Sequence, residues 1–184
     1  HRPGYAADER LSGYLDYLAG RSLVELNNPQ EAVPLLRGAA RVLPEVPFVH
    51  NLLGRALAEL QDWLPAAAAQ QRCLDLKPDF GYAWLELGRC REALGDASAA
   101  VKAFQSALPL LPDNDWLAQR LAVMQVTLLL QAGECEKATE SIFQCGRRWQ
   151  IPSVQLEQWL QIAASQLACG YEEGAYAVAA AIRE

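Results

Sequence analysis

Five cysteines stand at positions 73, 90, 135, 145 and 169, and two histidines at 1 and 50. A structural zinc site needs its Cys and His ligands clustered at short spacings. No C-x-x-C pair is present and the two histidines lie far apart, so no metal and no cofactor are expected. No Ser or Cys has a His placed to activate it, and no Gly-rich phosphate loop follows the known patterns. Scattered thiols in odd number fit a reducing compartment and the small apolar slots of a core. The residues that recur are arginines. Gly20-Arg21, Gly54-Arg55 and Gly88-Arg89 follow one another at a single constant interval. A guanidinium is a planar fork that matches a carboxylate. A catalytic loop needs its motif once, whereas three copies at one spacing point to a repeated unit that presents the same group three times. The chain is therefore read as non-catalytic.

The elements that carry these arginines must be helical. Of 184 residues 52% are hydrophobic, Ala is abundant and β-branched residues are few. The formal net charge is −6, and the densest basic spot is the pair Arg147-Arg148. Nucleic-acid binders carry a basic stripe, so no nucleic-acid partner is expected. No apolar run approaches the roughly 18–20 residues of a membrane span. The opening "HRPGYAADERLSGY" has no apolar centre and is not a signal peptide, which favours a cytoplasmic protein. The missing initiating Met implies a piece of a longer parent.

The window Gly81–Asn114 reads "GYAWLELGRCREALGDASAAVKAFQSALPLLPDN". It holds Trp84-x2-Leu87-Gly88, then Gly95-Asp96, Ala100-x3-Phe104, Ala107 and Pro112. The preceding window, 47–80, keeps Leu53-Gly54, Leu57, Asp62, Ala66, Cys73 and Pro78, with His50 in the Trp slot and Gln70 in the Phe slot. The window 13–46 keeps Gly20, Leu23, Asn28, Ala32, Leu36, Ala39 and Pro44. Past Asn114 the frame slips by four, and Gly133 takes the turn slot. A gain of four is about one helical turn, so the next first helix is lengthened at its start and capped by Asp113 or Asn114. Ala138, Ile142 and Cys145 follow in register. A last unit carries Trp159, Ile162, Gly170, Ala175 and Ile182.

With these residues the chain resembles the tetratricopeptide repeat (TPR) family, whose pattern W-x2-L-G-x2-Y…A-x3-F…P recurs about every 34 residues. Only the Tyr slot of the third window departs, being Arg91. The resemblance covers nearly everything from Gly13 onward. It implies an all-α fold, a right-handed α-solenoid of stacked antiparallel helix pairs. The expected division is 1–12 as an N-terminal extension or cap, then repeats at 13–46, 47–80, 81–114, 115–152 with a lengthened first helix, and 153–184, which continues or packs beyond that point.

The resemblance also separates Gly from Arg. It places Gly20, Gly54 and Gly88 where the two helices of a pair touch, and puts the next residue on the concave face. Residues seven and four places earlier share that face. The implied partner-binding set is Arg21, Arg55, Arg89, Tyr14, Tyr17, Phe48, Asn51 and Tyr82, in a groove that turns less polar through Arg120, Val123 and Thr127. Arg21–Glu25, Arg55–Glu59 and Arg89–Glu92 are candidate ion pairs within single helices. Exposed pairs of this kind contribute little to stability. The family's chaperone-tail binders use a clamp of Lys and Asn, which this sequence does not reproduce, Asn51 being the one match. The reading is an interaction scaffold that holds a protein or peptide, acidic with hydrophobic anchors, in the groove. Two alternatives stand beside it. One is the accessory region of a larger enzyme such as a glycosyltransferase. The other is a homodimer through the apolar closing segment "YAVAAAIRE", which lacks a solvating cap.

Overall fold

The computed structural model describes residues 3–134 together with 137, 138, 140, 141 and 170. It divides into two compact units, residues 1–112 and 113–184. The division falls where the repeat frame slips. Cys135, Cys145, Trp149, Trp159, Cys169 and the apolar closing segment lie outside the described residues.

The first unit is built of six helices: α1 (Pro3–Glu25), α2 (Pro29–Val42), α3 (Pro47–Glu59), α4 (Trp63–Leu76), α5 (Gly81–Ala93) and α6 (Ala97–Ala107). Helices α1 and α2, α3 and α4, and α5 and α6 form pairs, and α2 packs on α3 as α4 packs on α5. The result is an α-solenoid of stacked antiparallel pairs, with no strand among the described residues. The extension at 3–12 is not separate from the first pair: it is the opening part of α1, which has 23 residues against 13 in α3 and α5.

Each pair turns in the same way. Asn27, Gln61 and Gly95 all take positive φ, at 57°, 61° and 79°. The following N–H groups of Asn28, Asp62 and Asp96 reach back to the carbonyls of Leu23, Leu57 and Arg91 at 2.8–2.9 Å. This is the left-handed helix stop that satisfies the last carbonyls of the first helix. Asp96 then caps α6 by accepting from the Ala99 N–H at 3.0 Å. Two more positive-φ positions, Gly133 and Gly170, extend the series. The step from Gly95 to Gly133 is longer than the earlier steps by one helical turn. That turn appears in α7 (Asp115–Gln131), which has 17 residues. Asn114 caps it, accepting from the Leu117 N–H at 3.0 Å. In this second unit Leu117, Leu121, Met124 and Val126 of α7 are buried.

The glycines stand at the crossing within each pair. A Cβ on Gly20 would lie 2.7 Å from Leu36 Cγ, one on Gly54 2.6 Å from Gln70 Nε2, and one on Gly88 2.4 Å from the Phe104 ring. Leu36, Gln70 and Phe104 occupy one slot of successive repeats and are fully buried. The Trp slot is explained as well. Trp84 Nε1 donates to the Pro78 carbonyl at 2.8 Å, and His50 Nε2 meets the Pro44 carbonyl at 3.0 Å. A carbonyl only accepts, so the His50 proton sits on Nε2. Histidine stands in for tryptophan here with the same contact, a ring N–H aimed at the proline carbonyl that follows the preceding pair.

One helix ends earlier than the repeat suggests. Pro112 is the expected stop of α6, yet the α-helix ends at Ala107 and tightens into a 3-10 turn at Leu108–Leu110. Pro109 causes this: without an N–H it makes no bond to the fourth carbonyl back, and its ring crowds that carbonyl.

Candidate functional site

The first helices of the three pairs lie side by side, α1 touching α3 and α3 touching α5. Residues one repeat apart therefore form lanes that cross from helix to helix. Arg21, Arg55 and Arg89 are exposed and make one lane. Tyr14, Phe48 and Tyr82 are exposed and make a second. Within each helix the aromatic precedes the arginine by seven positions, two turns, or about 10.5 Å.

The aromatic lane is reinforced between α3 and α5. Phe80, which precedes α5, packs edge-on against Phe48 with ring centroids 5.5 Å apart, and against Tyr82 at 6.3 Å. Edge-to-face contact aligns the positive ring edge with the negative face of its neighbour. The three rings make an apolar platform whose outer members remain open to solvent.

The three arginines differ in their neighbours. Arg21 Nε donates to Glu25 Oε1 at 2.9 Å, and that bond, with the carboxylate charge, raises the guanidinium above its ordinary value. Arg89 pairs with Glu86 at 3.1 Å. Glu86 precedes the arginine by three positions, the order that suits the helix dipole. Its side chain is only 14% exposed, so the carboxylate is held close to the helix. Arg55 makes no ion pair with Glu59 or with any other described residue. The middle rung thus carries the one cation of the lane that is open to a carboxylate from outside.

Two residues expected on this face lie deeper. Tyr17 is half-buried against the core. Asn51 is buried: its Nδ2 donates to Gln70 Oε1 at 3.2 Å, and Gln70 Nε2 donates to the Asn51 carbonyl at 3.1 Å. Tyr17, Asn51 and Leu85 share one slot, so this lane faces inward and Asn51 serves the interior of the second pair. Phe80 is the residue of the face that sequence reasoning did not single out. Its aromatic neighbours at 48 and 82 were the available signal.

In the second unit, Val123 is buried and Thr127 is exposed, its hydroxyl donating to the Val123 carbonyl at 2.8 Å. Burial lowers the Arg120 guanidinium from its ordinary value. Cys73 and Cys90 are fully buried, and desolvation pushes both thiols up to about 11. No group of His, Cys, Asp and Glu able to hold a metal occurs among the described residues, and no helix there is long and apolar enough to cross a membrane.

Stacked pairs with glycine crossings, a left-handed stop in each turn and lanes of matching residues define a helical-repeat protein. The tetratricopeptide repeat profile matches residues 17–79 and 64–115. The chain belongs to the tetratricopeptide repeat family. Among solved structures, MamA from Desulfovibrio magneticus RS-1 is similar over 94% of this chain and 93% of its own, with a TM-score of 0.70 and 16% identity. The second TPR domain of human RPAP3, solved in complex with the HSP70 peptide SGPTIEEVD, covers 65% of this chain and 98% of its own, with a TM-score of 0.58 and 16% identity. The TPR2B domain of yeast Sti1, in complex with an Hsp70 peptide, covers 62% of this chain and 93% of its own, at a TM-score of 0.54 and 16% identity. No curated protein matches the sequence.

Proposed function

We propose that the chain is a non-catalytic scaffold that holds an acidic peptide with apolar anchors across α1, α3 and α5, the concave face of the solenoid. One observation carries this reading: Arg55, which makes no ion pair with any described residue, shares an exposed face with the Phe48–Phe80–Tyr82 platform. The separation of the two lanes, about 10.5 Å, equals three positions of extended chain at about 3.3 Å each. A peptide with an apolar residue and a Glu or Asp three positions apart spans it. The RPAP3 and Sti1 domains support the general class, since their partners are short peptides and the RPAP3 ligand is carboxylate-rich. Asn51 is turned inward here, so its place in a chaperone-tail clamp is not proposed.

The test is fluorescence anisotropy with labelled extended peptides carrying Leu and Glu three positions apart, against the same peptides with Gln for Glu. The Arg21→Glu, Arg55→Glu, Arg89→Glu triple variant should lose binding while its helical CD signal stays unchanged. A hydrogen bond to a charged group contributes about 1.5–3 kcal/mol. Arg55→Gln alone should therefore weaken binding roughly tenfold to a hundredfold, and Arg21→Gln or Arg89→Gln less. Unchanged binding by the triple variant, or no preference for Glu over Gln, removes the assignment.

A further inference from the structure

A second surface runs along the edge of the first unit where each pair turns. Leu26, Leu60 and Leu94 hold one place in the three turns, directly after α1, α3 and α5, and are 76%, 37% and 36% exposed. Leu64, in the first turn of α4, is 68% exposed and adds to the middle turn. Each leucine of the row follows the lane arginine of its helix by five positions. It therefore stands about 7.5 Å further along and about 140° round the helix axis, away from the peptide face. Turn positions ordinarily take small or polar side chains, so four open leucines at one edge mark a contact surface.

The charges around this row have one sign. Residues 25–31, 59–65 and 93–99 span the three turns and carry the exposed acids Glu25, Glu31, Glu59, Asp62 and Asp96, with no Lys or Arg. Glu25 is taken by Arg21, and Asp96 caps α6. Glu31, Glu59 and Asp62 make no ion pair with any described residue. The last turns of α1 and α3 hold no base, and Arg91 in the last turn of α5 is half-buried. Unpaired carboxylates beside open leucines attract a cationic partner and repel an acidic or phosphate-bearing one.

Spacing narrows the partner further. Helix α1 touches α3, and α3 touches α5; helices in contact lie about 8–10 Å apart, which is the step of the row. A helix laid across the turns brings every seventh residue back to nearly the same side at about 10.5 Å. We infer that the turn edge docks a basic amphipathic helix of a partner protein, with leucine-type anchors at heptad spacing and Lys or Arg beside them. The anchors pack on Leu26, on Leu60 with Leu64, and on Leu94, while the flanking cations meet Glu31, Glu59 and Asp62. The same carboxylates turn away an anionic membrane surface and the acidic ligand of the concave face. The two surfaces thus take partners of opposite sign.

Fluorescence anisotropy tests this with a labelled Ala-based peptide of about 20 residues, long enough to form a helix, with Leu at every seventh position and Lys on either side. One control has the same composition with its leucines spread round the helix, and another has Glu for Lys. The chain should bind the first peptide, and both controls at least about tenfold more weakly. Leu60→Gln with Leu64→Gln should weaken binding at least about tenfold. Glu31→Gln with Asp62→Asn should weaken it about threefold or more and flatten its salt dependence. All four side chains are exposed, so the CD spectrum should not change. The triple arginine variant should keep this binding, and the Leu60→Gln, Leu64→Gln variant should keep that of the acidic peptide, so each surface is tested separately. No binding, equal binding of the spread-leucine control, or binding that survives the Leu60 and Leu64 changes overturns the proposal.

Discussion

Replacing Gly88 with Ala puts the packing account at risk. An alanine Cβ at this position would stand 2.4, 2.5 and 3.0 Å from three carbons of the Phe104 ring. Ordinary carbon contacts are about 3.5–4.0 Å, so ring and helix must separate by roughly 1 Å. Phe104 is fully buried, so its ring cannot move aside without disturbing the core around it. Overfilling a packed core costs about 1–3 kcal/mol. The substitution also gains about 0.5–1 kcal/mol, because alanine is the better helix residue. Contacts this short place the overfilling cost in the upper half of its range, so the net is a loss of roughly 1–2.5 kcal/mol, or roughly 2–10 °C in melting temperature for a chain of this size. Urea unfolding followed by far-UV CD measures it. In a Phe104→Leu background, which removes the ring edge, Gly88→Ala should cost less by about 1 kcal/mol. A Gly88→Ala chain as stable as the parent, with the same denaturant slope, would refute the reasoning: the glycine would then be inherited rather than required.

Three further outcomes are expected. Gln61 occupies the left-handed turn slot at φ 61° that Gly95 fills in the next pair; Gln61→Gly should raise stability by about 0.5–1 kcal/mol, and Gly95→Ala, which meets no neighbouring atom, should lower it by about 1 kcal/mol from backbone strain alone. Asn51→Leu and Gln70→Phe should each destabilise by more than about 1 kcal/mol, since each strands one buried amide, while the double change reproduces the Leu85 and Phe104 of the third pair and should be near neutral. Cys73 and Cys90, held up at about 11 against 9.0 when unfolded, contribute stability that is complete below pH 9 and declines as pH rises from about 9 to 11, because the unfolded chain ionises first; neither should react with a thiol reagent at pH 8 without denaturant, as read by peptide mass spectrometry.

Much of the fold is legible in the sequence because it rests on local chemistry. Glycine crossings, the Gly95-Asp96 stop and cap, and the slip of one turn before Gly133 all depend on residues close together in the chain. Asn27 and Gln61 show the limit. They adopt the glycine conformation without being glycine, and only their place in the repeat series reveals it. Asn51 was misleading for another reason. Its type suits an exposed groove, but its partner, Gln70, lies 19 residues away. The available signal was that both polar residues fall in slots filled by apolar side chains in the third pair. The pairing of Arg89 with Glu86 depends on rotamers and burial, which spacing does not encode.

The two ion pairs on the arginine lane have a consequence beyond stability. A ladder of identical rungs is degenerate: a ligand that fits one rung fits the next, shifted by a repeat. Glu25 and Glu86 occupy the outer guanidiniums and leave Arg55 open, which removes that symmetry. If an acidic ligand binds this face as proposed, the two glutamates would act as address marks, so that a periodic scaffold would offer a single starting frame instead of three equivalent ones.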